Sequence, residues 1–228
     1  LNELILDSKI TNDGWDLLKM VLQKQYQKKY IDSFWIELSK KRTSYPQIEI
    51  ELIRIELETK NFSSAAIRIE KINQIIDSID LSEEWMLELA EILCVRAPEI
   101  AKKILAKFSN TSEEFVKIMI KTQRALGDND GAMKTAVNAL ASNMSHGLLF
   151  STVRLAWDIG DMEDVVKYSN LIISDKPNQR VANRFMLKAL VKIGDLERIT
   201  NSINKTLEKM PDFIEAHRVM IDIGFSEL

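Results

Sequence analysis

The residues of this chain best suited to chemistry are cations at helical spacing. Two triplets are spaced so that each would share one helix face: Lys117, Lys121 and Arg124, and Arg184, Lys188 and Lys192. Arginine binds carboxylate or phosphate through paired hydrogen bonds, and several cations on one surface raise its potential. The spacing therefore predicts a surface that favours an acidic partner. The alternative interpretation is that these are solvated side chains on exposed helix faces.

Residues for catalysis or metal binding are sparse. His146 and His217 are the only histidines, and with the single cysteine, Cys94, they give no zinc-type spacing. No G-x-S-x-G, G-x-x-x-x-G-K or G-x-G-x-x-G motif occurs in the sequence. The close carboxylates in SEEWMLELAE and GDMED are more typical of helix N-termini than of acid–base catalysis. We expect no catalytic residue, metal site or cofactor, and we expect Cys94 to be buried packing.

Composition sets the broad class of the protein. The chain has 228 residues, of which 46% are hydrophobic and 29% are charged, as in a soluble globular protein with a sizeable core. A single cysteine excludes an internal disulfide framework and suits a reducing compartment, so we expect a cytoplasmic protein. No apolar run is long enough to predict a membrane span, and the first residues lack the pattern of a signal peptide. The chain begins with leucine, as either a piece cut from a longer protein or a processed start would.

The residue composition predicts helices. The segment YPQIEIELIRIELETK, residues 45–60, is the exception because its isoleucines partly alternate, which leaves a strand open. We favour a helix there, since Pro46 suits a first turn and the glutamates suit helix propensity.

Two kinds of helix breaker recur at a constant interval. Gly160 and Gly194 lie thirty-four residues apart, and so do Pro177 and Pro211. Gly127 precedes Gly160 by thirty-three residues, and each of these glycines is followed by aspartate. Each Gly-Asp pair follows one apolar helical pattern and opens another. This periodicity predicts stacked helix-turn-helix units, in which glycine makes the turn, aspartate caps the second helix and proline ends it.

These units resemble the tetratricopeptide (TPR) repeat family. The best local match is GDNDGAMKTAVNAL, and the W-x-x-L part of the motif appears in full as Trp15 and Leu18. Around Trp85 the match is partial, because Glu88 holds the leucine position. In the later units, valine and isoleucine replace the small residue of the second helix. The match is strong over residues 113–213 and degenerate in the N-terminal half.

The resemblance implies an all-α fold, a right-handed superhelix or α-solenoid of TPR-like helix-turn-helix repeats. We expect it to form a single domain over residues 1–228, ending in a terminal helix at 214–228. The approximate repeats are 12–45, 46–81, 82–112, 113–145, 146–179 and 180–213.

The resemblance also implies where a partner would bind. In the TPR family the first helix of each repeat lines a concave groove, so ligand-facing positions carry over to ten residues: Lys117, Lys121, Arg124, Phe150, Arg154, Trp157, Arg184, Lys188, Lys192 and Arg218. Upstream, Glu58 and Glu83 would face the same groove against Arg54, so the basic patch would be local to the C-terminal half. The groove asparagines of carboxylate-clamp TPR proteins are absent at the matching positions.

The sequence favours a non-catalytic protein-interaction scaffold that binds a peptide or partner domain, preferably an acidic one, in this basic groove. The alternative is a helical repeat region of a larger enzyme, such as a bacterial polysaccharide glycosyltransferase, used for assembly or for docking an anionic glycan or partner. Nucleic acid is disfavoured because the net charge is −3 and no recognition motif occurs. Self-association through apolar ends of the array stays open.

Overall fold

The structure, a computed structural model, describes residues 10–41, 45–79, 81–108, 112–142 and 145–226. Within these ranges the chain forms thirteen α-helices and no strand, which confirms the all-α prediction. The last two residues of the predicted terminal helix, 227 and 228, lie outside the described residues. The helices are α1 (Asn12–Gln25), α2 (Lys28–Lys41), α3 (Pro46–Glu58), α4 (Phe62–Ile75), α5 (Glu83–Leu93), α6 (Pro98–Leu105), α7 (Glu113–Ala125), α8 (Asn129–Ser142), α9 (His146–Ile159), α10 (Met162–Asp175), α11 (Arg180–Ile193), α12 (Leu196–Lys209) and α13 (Ile214–Ser226).

The chain divides into two compact units, residues 1–110 and residues 111–228. We call them the N-terminal unit and the C-terminal unit. Every predicted repeat interval contains two helices, and α13 follows the last pair. Below, the odd-numbered helices are called first helices and the even-numbered ones second helices. That the whole chain forms one domain stays a prediction.

The alternating segment of the N-terminal unit is a helix, as predicted. Pro46 occupies the first turn of α3, where its missing N–H is not needed. The alternation has a packing origin, because α3 contacts α2, α4 and α5 and is therefore apolar on most of its circumference. Its buried apolar residues are Ile48, Ile50, Leu52, Ile53 and Ile55.

The N-terminal unit has an aromatic core. Trp15, Trp35 and Trp85 are all buried, and Trp35 lies 6.1 Å from Trp15 and 6.3 Å from Trp85 between ring centroids. Tyr45 packs at 5.2 Å against Trp15. Large aromatic side chains bury much apolar area each, so this cluster joins first helices α1 and α5 to second helix α2.

The turn within each repeat of the C-terminal unit is the predicted Gly-Asp pair. Gly127, Gly160 and Gly194 have φ values of 78°, 88° and 80°, a left-handed conformation that glycine adopts without steric cost. The aspartate after each glycine accepts a hydrogen bond from the backbone N–H three residues later, at 2.9, 3.0 and 3.0 Å. These caps satisfy donors that the first turn of a helix leaves open, so local chemistry fixes where each second helix begins.

The second helices of the last two repeats end just before proline. α10 ends at Asp175 and α12 at Lys209, two residues before Pro177 and Pro211 respectively. Asn183 Nδ2 donates to the Pro177 carbonyl at 3.0 Å, and Asn183 Oδ1 accepts from Thr206 Oγ1 at 3.0 Å. This buried amide therefore ties the proline turn to the following repeat.

Candidate functional site

All ten predicted binding residues lie on first helices of the C-terminal unit. Helix α7 carries three of them, α9 three, α11 three and α13 one. We call the surface that they form the first-helix face: Lys117, Lys121, Arg124, Phe150, Arg154, Trp157, Arg184, Lys188, Lys192 and Arg218.

Successive first helices of the C-terminal unit contact one another. Helix α7 packs on α9, α9 on α11, and α11 on α13, and these contacts are more extensive than those between successive second helices. The candidate residues therefore occupy neighbouring helices in series. A segment bound to the first-helix face could contact several repeats at once.

An aromatic and cationic cluster joins α9 to α11. The rings of Trp157 and Phe185 meet edge to face, with centroids 5.7 Å apart and planes at 71°. Lys192 Nζ lies 4.1 Å from the centroid of the Trp157 ring, within the range of a cation–π contact. The structure thus brings together Trp157 and Lys192, two predicted site residues from different repeats. Phe185 was missed, although its spacing to Lys188 and Lys192 places it on the same side of α11.

Three of the predicted cations are already paired with carboxylates. Lys117 pairs with Glu113, one turn earlier on α7, and Arg184 pairs with Glu215 on α13. Arg124 Nη2 lies 2.6 Å from Asp158 Oδ2 on α9. The hydrogen bond from Lys117, with a second from Ser145, holds the pKa of Glu113 below its usual value. These pairs neutralise part of the face, and exposed pairs of this kind add little stability.

Two cations of the face, Arg154 and Lys188, form no ion pair with any described residue. Both side chains are exposed. Arg154 lies three residues before Trp157, and Lys188 lies four residues before Lys192, so each is one helical turn from the aromatic cluster. Lys121 and Arg218 are also exposed, and Phe150 is partly buried. The arrangement presents two unpaired cations beside a half-buried indole.

The upstream residues predicted to face the same groove behave differently. Arg54 Nη2 lies 2.9 Å from Asp32 Oδ1, its Nε lies 2.8 Å from Glu51 Oε2, and Nη1 lies 3.2 Å from Glu58 Oε2. Glu83 is the first residue of α5 and is exposed. The charge of Arg54 is therefore neutralised by carboxylates of the N-terminal unit.

Residues considered for catalysis have ordinary surroundings. Cys94 is buried at the end of α5, as predicted, and His217 Nε2 lies 2.7 Å from the Pro211 carbonyl, a distance at which the ring N–H donates. Among the described residues, no three histidine, cysteine, aspartate or glutamate side chains come together as metal ligands would. No helix in those same ranges combines the length and the apolar character that crossing a bilayer requires.

Comparisons with known proteins bear on the fold. No family model matches the chain, and no curated protein matches it. A crystal structure of MamA protein matches with a TM-score of 0.52 and 19% identity, over 71% of this chain and 90% of that chain. A second MamA structure, designated AMB-1, matches with a TM-score of 0.48 and 15% identity, over 73% of this chain and 92% of that one.

The first of these matches, together with the thirteen helices of the described ranges, decides the fold class. The chain has a TPR-like helical solenoid fold. At 19% identity the likeness is one of fold. In this fold the candidate cations lie on first helices. What they could bind is inferred from the contacts of those cations within this chain.

Proposed function

We propose that this chain is a non-catalytic protein-interaction scaffold whose first-helix face binds an acidic segment of a partner protein. The observation that carries the proposal is a pair of exposed cations, Arg154 and Lys188, which have no ion-pair partner in the described part of the chain and lie beside the Trp157–Phe185–Lys192 cluster. The TPR-like fold supports it, because stacked helix pairs offer an extended surface for a partner.

The chemistry of the face suits a carboxylate next to an apolar side chain. The planar guanidinium of Arg154 can hold a carboxylate by two parallel hydrogen bonds, whereas Lys188 acts as a point charge. The half-buried Trp157 ring offers apolar area close to both cations. A partner carrying acidic and apolar residues in alternation would use both features.

The packing of the helices supports a concave first-helix face. Where first helices approach one another more than second helices do, a stack of pairs curves toward the first helices. A concave surface lined with one sign of charge concentrates its field and attracts the opposite charge. An extended segment lying along such a surface would pass Arg154 and Lys188 in turn.

The test uses a fluorescent twelve-residue peptide that alternates glutamate with leucine, and a matched peptide with glutamine for glutamate. Fluorescence anisotropy with the full chain should show binding of the acidic peptide, weaker at ionic strength of about 0.15 M than at about 0.01 M. Arg154→Glu and Lys188→Glu should each weaken that binding about fivefold or more, because a reversed charge repels the carboxylates. Lys134→Glu is the matched control, since Lys134 is an exposed cation on α8, outside the face.

Equal affinity for both peptides would refute the proposal, and so would reversals at Arg154 and Lys188 that act no more strongly than the one at Lys134. A polyuronate chain that displaces the acidic peptide at lower concentration than unlabelled peptide does would instead identify an anionic glycan as the preferred occupant.

A further inference from the structure

A second surface of the C-terminal unit is a groove between two second helices. Helices α10 and α12 form its walls, α11 forms its floor, and its volume is about 480 Å³. We call it the rear groove and define it by Val166, Asn170, Met186, Leu190, Asn201 and Lys205. Its volume lies within the range of pockets that hold ligands in proteins.

The rear groove and the first-helix face lie on opposite sides of α11. Met186 and Leu190 face the groove, whereas Lys188, which belongs to the first-helix face, lies two residues from each of them. At 3.6 residues per turn, two residues correspond to a rotation of about 200°. A ligand on one surface therefore leaves the other accessible.

The floor of the rear groove is largely apolar, and each wall carries a side-chain amide that has no hydrogen-bond partner among the described residues. Met186 and Leu190 of α11 and Val166 of α10 are buried apolar side chains that line the groove. Asn183 of α11 also lines it, and its side chain is already hydrogen-bonded to the Pro177 carbonyl and to Thr206. Asn170 on α10 and Asn201 on α12 are exposed, and neither side-chain amide makes a hydrogen bond within the described residues. A carboxamide both donates and accepts, so it can pair with the N–H and C=O groups of an extended main chain. The groove thus offers main-chain partners on both walls above an apolar floor.

The rear groove has an excess of positive charge at Lys205. Arg198 also lines the groove, and its Nη1 and Nη2 donate to Glu163 Oε1 and Oε2 at 2.8 and 2.9 Å respectively. Lys209 Nζ lies 3.4 Å from Oε1 of the neighbouring Glu208, so these two charges pair with each other. Lys205 is exposed and forms no ion pair in the described ranges. The charge complement of the groove is therefore a carboxylate.

We propose that the rear groove is a second docking site, which binds an extended segment of a partner protein. The segment places an apolar side chain over the floor at Met186 and Leu190, its main chain on Asn170 and Asn201, and a carboxylate at Lys205. This proposal does not rest on the first-helix face. If both surfaces bind, the scaffold can hold two partners at once, on opposite sides of α11.

The test starts from peptides selected by this surface. A phage-displayed library of random twelve-residue peptides is selected on the full chain after depletion on the Lys205→Glu variant. The leading peptide is synthesised and titrated calorimetrically. We expect it to carry an acidic residue next to an apolar one, and we expect Lys205→Glu to weaken its binding about tenfold. The double variant Asn170→Ala, Asn201→Ala should weaken binding by a similar factor.

Matched controls separate the rear groove from general surface effects. Asn204→Ala removes an exposed amide of α12 that does not line the groove, and Lys134→Glu reverses an exposed cation elsewhere. Both should leave affinity within about twofold of the unmodified chain, since neither touches the segment. Lys188→Glu should also leave it unchanged, which distinguishes this site from the first-helix face.

Nuclear magnetic resonance shows directly which surface the selected peptide contacts. The side-chain amide signals of Asn170 and Asn201 should shift as the peptide is added, whereas the indole signal of Trp157 should not. A library that yields no peptide dependent on Lys205, or shifts confined to the first-helix face, would overturn the proposal. Concentration-dependent dimerisation that Lys205→Glu abolishes would also overturn it, because the occupant would then be a second copy of the chain.

Discussion

Some first helices in both units carry a basic residue at the ninth position, and the surroundings of that residue differ between the units. Arg54 in α3, Arg154 in α9 and Lys188 in α11 all occupy this position. The Arg54 side chain is 21% exposed and contacts three carboxylates, whereas Arg154 and Lys188 are exposed and unpaired within the described residues. The same residue class at the same repeat position is paired with carboxylates in one unit and, among the described residues, is left without an ion pair in the other.

The difference arises from residues around the ninth position. In the N-terminal unit, the buried Glu51 lies between Arg54 and Lys19, whose Nζ is 3.1 Å from Glu51 Oε1. Lys19 also pairs with Glu88, the residue that replaces leucine in the partial W-x-x-L match, and lies over the Trp85 ring. The departure from the TPR pattern at Glu88 therefore belongs to an internal charge network.

The two cations of this network differ in how far nearby carboxylates offset the effect of burial on their pKa. Burial lowers the pKa of Lys19, and its interactions with Glu51 only partly oppose that effect. For Arg54, burial also acts against the charged form, but the carboxylates of Glu51, Asp32 and Glu58 prevail and raise its pKa. Glu51 is the carboxylate that the two side chains share, beside Glu88 for Lys19 and Asp32 and Glu58 for Arg54.

The largest expected effect on stability comes from replacing Glu51, the buried carboxylate of the N-terminal network. Glu51→Leu should lower the free energy of unfolding by about 2–3 kcal/mol, because it removes the buried carboxylate that Lys19 and Arg54 share, although Lys19 keeps Glu88 and Arg54 keeps its other carboxylates. Asp158→Leu, which removes the partner of Arg124 in the C-terminal unit, should cost less than about 1 kcal/mol, since both side chains of that pair are more than a third exposed. Urea unfolding measures both. Similar losses for the two variants would show that the charge networks do not differ as described.

A medium effect concerns the turns inside the repeats. Among the described residues of the N-terminal unit, Lys60 has a left-handed φ of 60°, where the C-terminal unit has glycine. Gly160→Ala should destabilise the protein by about 1–2 kcal/mol through backbone strain alone, because a Cβ there would meet nothing within 4 Å. Lys60→Gly should stabilise it by up to about 1 kcal/mol, since it removes the same strain. Thermal unfolding of both variants should move in opposite directions; shifts of the same sign would contradict this account.

The smallest effect is a dependence on pH. The hydrogen bond from Arg198 holds the pKa of Glu163 below its ordinary 4.5. A lowered carboxyl pKa in the folded state adds stability above the unfolded pKa, and that stability is lost as pH falls through the folded value. Arg198→Gln should return the Glu163 pKa toward 4.5, as measured by carboxyl carbon chemical shifts. Glu58 serves as the internal control from the N-terminal unit: burial opposes its ionisation, but Lys28 and Arg54 lower its pKa, and Arg198→Gln should leave that unchanged.

Much of the fold was predictable because it follows from local backbone chemistry. The Gly-Asp pairs were expected to form turns and caps, and φ values near 80° with side-chain caps confirm it at Gly160 and Asp161. The helix over residues 46–58 followed from Pro46 and from its glutamates, although its apolar alternation also fitted a strand. Phe185 was missed as a neighbour of Trp157, since no local signal relates two residues of different repeats.

The sequence by itself determined the helices, their turns and the positions of the cations on first helices. These depend on interactions between residues at most a few positions apart, such as an aspartate that caps the helix it begins. Only the tertiary structure decided which cations remain available. The partner of Arg124 lies thirty-four residues away on another helix, and Arg54 meets Asp32 across twenty-two. Whether a cation is neutralised depends on which carboxylates the packing of other helices places next to it. Those neighbours are distant in the sequence, so the sequence pattern alone does not reveal them.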